Sequence, residues 1–72
     1  MSLDTSAGVT INGERRRLAS DTTLAEMIAE IGLDPLHVAV ERNLAIVPRS
    51  TFGQVVVEDG DEYEIVHFVG GG

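Results

Sequence analysis

Cysteine, lysine and tryptophan are all missing from this sequence. Without cysteine there is no disulfide, no thiolate nucleophile and no cysteine metal ligand, and nothing marks the chain for an oxidising compartment. Without lysine there is no side-chain amine to carry an acyl group, so any sulfur or acyl chemistry must use a hydroxyl or the terminal carboxylate. No run approaches the eighteen or so apolar residues of a membrane span. The N-terminus also lacks the basic-then-apolar order of a secretory signal, and the expected location is cytoplasmic. Positive charge is scarce as well: five arginines stand against twelve acidic residues, for a net charge of −7. That balance repels phosphate, which argues against nucleic acid or an anionic membrane and for a basic protein surface as partner. At 72 residues the chain is one small domain over 1–72, of a size that buries only about 60% of its unfolded surface. It has no room for an enclosed substrate cavity. A module that docks onto a larger protein suits it better than an enzyme with catalytic residues of its own.

What is present is organised around the C-terminal stretch. Tyr63 to Val69 is rich in the residues that fit a pleated strand, and apolar enough to be central in a sheet. Gly70, Gly71 and Gly72 follow. With no side chains to pack and the largest backbone entropy of any residue, they are expected to form a flexible tail over 70–72 that carries a free carboxylate. A truncated linker would leave the same glycines.

Ahead of that strand the signals come in a regular order. Residues 1–7 are small and polar without period and are expected as a flexible lead-in. Val9-Thr10-Ile11 alternates as a strand, Asn12-Gly13 is a two-residue hairpin turn, and Arg15 to Leu18 returns. The run Arg15-Arg16-Arg17 reads as a solvated strand edge or as a contact for phosphate or a partner. Thr23 and Glu26 form a capping box that opens a helix. Leu24, Met27, Ile28 and Ile31 give it one apolar stripe, and Gly32 with Pro35 stops it. Leu36 to Arg42 reads as a third strand, with Val38 and Val40 on one face. Asn43-Leu44-Ala45 makes a turn, and Ile46-Val47 is a short edge strand closed by Pro48. Phe52 plugs the core from an irregular helical turn, Val55 to Val57 is briefly extended, and Glu58-Asp59-Gly60-Asp61 turns into the final strand.

A hairpin, a crossover helix and a last strand inserted between the earlier ones, parallel to the first, is the β-grasp arrangement of ubiquitin-like proteins. The expected fold class is therefore α+β, a mixed sheet of four to five strands crossed by one helix. At this point the residues carry a resemblance. Val38-Ala39-Val40-Glu41-Arg42-Asn43, Ile46-Val47-Pro48-Arg49-Ser50, Asp59-Gly60-Asp61, Ile65-Val66 and the closing Val69-Gly70-Gly71-Gly72 resemble the ThiS family of sulfur carriers of thiamine biosynthesis. The resemblance spans residues 9–72. Leu44 departs from it, because turns of that family often hold glycine or a polar residue there.

The resemblance implies that the Gly72 carboxylate is the site of covalent chemistry. A ThiF-like adenylating enzyme would use ATP to make the acyl-adenylate, and a cysteine-derived persulfide would displace AMP. The resulting thiocarboxylate would pass sulfur to thiazole synthase (ThiG). Gly70 and Gly71 would thread the partner active sites, and no cofactor would be bound by the chain itself. A related carrier of the MoaD type, one feeding cysteine synthesis, and a ubiquitin-like modifier or binding module share the same tail.

Docking needs contacts elsewhere on the domain, because ordering each tail residue costs roughly 1–2 kcal/mol. If Tyr63 and Ile65 point into the core, Val66 and Phe68 point outward as an apolar docking patch beside the tail. The opposite phase would expose Ile65 and His67 instead. Glu41 and Glu64 are placed to steer a basic partner. His37 and His67 have no metal-ligand or nucleophile companion at a recognisable spacing and read as strand surface residues. Asp59 and Asp61 flank a turn glycine and read as turn residues.

Overall fold

The computed structural model describes residues 5–68. Strand β1 (Ser6–Ile11) pairs antiparallel with β2 (Glu14–Ala19), and helix α1 (Leu24–Glu30) follows. Strands β3 (Val38–Arg42) and β4 (Ala45–Val47) form a second hairpin, and β5 (Glu62–His67) comes last. The sheet order is β2-β1-β5-β3-β4, with β5 parallel to β1 and antiparallel to β3. The final strand is therefore central in a five-stranded mixed sheet, as the β-grasp reading requires. Strand β1 begins at Ser6 and Ala7 is buried, so the expected lead-in over 1–7 is too long. Ala7 faces Leu18 across the ladder and fills the core from the outer hairpin.

Each element forms for a local reason. The β1–β2 turn holds Asn12 and Gly13 at positive φ, the geometry that matches strand twist in a two-residue hairpin. Helix α1 spans only seven residues, too short to persist alone. Its Leu24, Met27 and Ile28 are fully buried against the sheet. Its first-turn amides are all satisfied. Leu24 N–H donates to Val55 C=O, Ala25 N–H to Phe52 C=O and Glu26 N–H to Thr23 Oγ1, while Glu26 Oε1 accepts from Thr23 N–H. At the other end Leu33 N–H donates to Ile28 C=O and Gly32 N–H to Ala29 C=O, with Gly32 at φ +86. This is the Schellman pairing that the glycine announced.

Two segments differ from the reading of the sequence. Leu36 and His37 lie in a 3-10 turn over Pro35–His37, and β3 starts only at Val38. Pro35 sits in the first turn and Asp34 Oδ1 accepts from Leu36 N–H, so an Asp-Pro cap takes these residues out of the strand. The β3–β4 turn has two residues, Asn43 and Leu44, both at positive φ, and Ala45 already belongs to β4. The core is one cluster between α1 and the inner sheet face, closed at its end by Phe52 and Val57. Among the described residues, no helix is long and apolar enough to cross a membrane.

Candidate functional site: the outer face and exit of the central strand

The pleat of β5 decides which residues a partner can meet. Tyr63 and Ile65 are buried under the helix, whereas Val66 is 64% and Phe68 41% exposed. The phase that points Val66 and Phe68 outward is the one adopted, and the opposite phase is excluded for Ile65. Register then places neighbours on the same outer face. Ala39 pairs with Val66, Glu41 with Glu64, and Ile46 with Glu41. Ala39, Ile46 and Val66 line a shallow apolar depression bordered by Glu41 and Glu64. Ile46, 79% exposed, belongs to this patch. Sequence alone left it out because β4 is too short for its own alternation to set a phase. Only its pairing with β3 does so.

Glu41 and Glu64 stand directly opposite on adjacent strands. Like charges across such a pair oppose folding, so these carboxylates are placed at a small cost in stability where a basic surface would relieve them. The exit of β5 is held next to the patch. Phe68 N–H donates to His37 C=O at 2.9 Å, and the two rings meet edge to face at 6.4 Å. His37 Nδ1 lies 3.1 Å from Asp34. His37 is therefore a turn residue that braces the exit, while His67 is an exposed strand residue. On the β1 side, Asn12 Oδ1 accepts from Ile65 N–H at 2.7 Å and Asn12 Nδ2 donates to Ile65 C=O at 3.0 Å.

The entry to β5 is fixed by Asp61, which is only 5% exposed. Its Oδ2 accepts from Arg42 Nε, Glu58 N–H and Tyr63 Oη, and its Oδ1 from Asn43 Nδ2, at 2.8 to 3.1 Å. Burial pushes the carboxyl up, but these four donors outweigh it and hold Asp61 below the usual carboxylate range. Burial, followed by the hydrogen bond to Asp61, pushes the Tyr63 hydroxyl well above its usual value. A carboxylate buried under four fixed donors is a structural hub. Asp59 turns back to accept from Gly8 N–H at 2.7 Å. Both acids thus exceed the turn role expected of them by tying that turn to distant strands. Among the described residues no group of histidine, cysteine and acidic side chains could hold a metal ion. The run Arg15-Arg16-Arg17 lies on the exposed edge strand β2, with Arg17 Nη1 donating to Ser6 Oγ. Gly70, Gly71 and Gly72 lie outside the described residues.

A five-stranded sheet crossed by one helix, with its last strand central and an exposed apolar patch beside the exit of that strand, defines a β-grasp domain. Comparison with known proteins makes this particular. The chain belongs to the ThiS family, whose model matches residues 9–72. It is 40% identical over 63 residues to the sulfur carrier protein ThiS of Bacillus subtilis, covering 86% of this chain and 96% of that one. It is 53% identical over 62 residues to a thiazole synthase of Paramagnetospirillum magneticum and 47% identical to that of Magnetococcus marinus. The matched part covers 86% of this chain but spans only 19% of those two proteins. In three dimensions it superposes on the crystal structure of the thiamine biosynthesis protein ThiS from Geobacter metallireducens with a TM-score of 0.74. The identity there is 29%, covering 90% of this chain and 99% of that one.

Proposed function

We propose that this chain is a sulfur carrier of thiamine biosynthesis whose Gly72 carboxylate is converted to a thiocarboxylate. A carboxylate is an anion at neutral pH and a poor electrophile, so it must first be activated. In this reading a ThiF-like enzyme joins it to the α-phosphate of ATP, with release of pyrophosphate. A persulfide sulfur attacks the acyl carbon and AMP leaves. A thiol then cleaves the sulfur–sulfur bond and frees the thiocarboxylate for thiazole synthase. The chain acts as a co-substrate, and its own residues present the terminus without catalysing a step.

The observation that carries this reading is a family match running through Gly72, on a fold whose central strand exits beside an exposed apolar patch. Thiazole synthase is favoured as acceptor because two proteins of that name contain a segment 47% to 53% identical to this chain. Linking a carrier to its acceptor in one polypeptide raises its effective concentration there. The test is incubation with ATP, a ThiF-like enzyme and a sulfur source. Intact mass should show one oxygen replaced by one sulfur, and deletion of Gly72 should abolish the change. An unaltered mass for the native chain, with each enzyme active on its own control substrate, would refute the reading.

A further inference from the structure

Strand β1 ends at Ile11, opposite Tyr63, while β5 continues to His67. Past Tyr63, the β1 side of the central strand has lost its neighbour. By the alternation of a ladder, residues 61, 63, 65 and 67 turn their peptide groups to that side. Asp61 C=O accepts from Thr10 N–H, and Tyr63 C=O from Asn12 N–H. The next rung is made by a side chain. A primary amide offers the same donor and acceptor as a peptide group, and Asn12 presents both to Ile65. The parallel ladder is thereby extended by one rung where the main chain has already turned away. Across the strand, His37 C=O holds Phe68 N–H. The turn itself does not demand this amide, because asparagine, aspartate and glycine all suit its first position. Of the three, only asparagine supplies both bonds.

We propose that Asn12 is a positioning residue for activation of the carrier. Its amide keeps the end of β5 in line through Phe68, so that this strand end meets the adenylating enzyme already ordered. This rests on the carrier reading above. Asn12 touches no reacting atom and acts through Ile65. Less ordering is then left for the moment of docking, so its loss belongs in KM for the carrier and leaves kcat in place.

Two variants keep the turn and alter the clamp. Asn12→Gly removes both bonds. Asn12→Asp keeps the acceptor but sets a carboxylate oxygen against Ile65 C=O. ATP–pyrophosphate exchange by a ThiF-like enzyme, titrated with the full chain, should show KM raised about three- to tenfold by Asn12→Gly and further by Asn12→Asp, with kcat within about twofold. Amide hydrogen exchange should show lost protection at Ile65, with Val9 and Val40 unchanged. An unchanged KM in both variants, or protection lost evenly across the sheet, overturns the proposal while leaving the carrier reading intact. A native chain that the enzyme never activates overturns both.

Discussion

Four donors converge on the Asp61 carboxylate, and removing it strands all of them at once. Asp61→Ala should lower unfolding free energy by about 3 kcal/mol, measured by urea denaturation, because the Arg42 charge and the Tyr63 hydroxyl lose their partner. The pH dependence follows from the direction of the shift. A carboxyl held below its unfolded value near 3.9 adds stability that is fully present above that pH and lost as pH falls through the folded value. The gap in stability between the native chain and Asp61→Asn should therefore narrow below about pH 4. Leu44 makes the opposite case. It is 89% exposed and held at φ +71, a region that penalises a branched side chain and welcomes glycine. Leu44→Gly should raise stability by about 1 kcal/mol, seen as a melting temperature about 4–8 °C higher. The sequence marked this residue as a departure from its family, and the turn explains why another residue type suits the position better.

Among the elements, those with local signals were legible in advance. The capping box, the terminal glycine and the three-four spacing of Leu24, Met27 and Ile28 define helix α1 within a few residues, and Asn12-Gly13 defines the first hairpin. What stayed hidden depends on pairing between distant segments. Nothing near Ile46 states which face it takes until Glu41 is across from it. Nothing near Asp61 states that Arg42 and Asn43 will bury it. Of the candidate site, Val66 and Phe68 were readable from the phase of β5, whereas Ile46 and the Asn12 clamp were not. The outer face yields two predictions. On the proposed carrier reading, Phe68→Glu should raise the KM of a ThiF-like enzyme for this chain about tenfold with little change in melting temperature, since the ring lies outside the core. Glu41→Gln should stabilise the fold by about 0.3–0.5 kcal/mol by removing the repulsion with Glu64, yet slow association with a basic partner. Stopped-flow association at low and high salt would measure that trade, and a salt dependence equal to that of the native chain would refute the steering role.

For the molecule as a whole, the placement of β5 governs assembly as well as docking. Contacts such as Asn12 with Ile65 join positions 53 residues apart, and β5 alone connects the β1–β2 hairpin to the β3–β4 hairpin in the sheet. Remove it and two small ribbons remain, neither stable by itself. A chain cut after Asp61 should show no cooperative melting by circular dichroism. During synthesis, proteins emerge N-terminus first, so within this domain the keystone of the sheet is the last strand to appear. A copy that stops short of β5 has no finished sheet face, so any partner that recognises that face can engage only chains translated through His67.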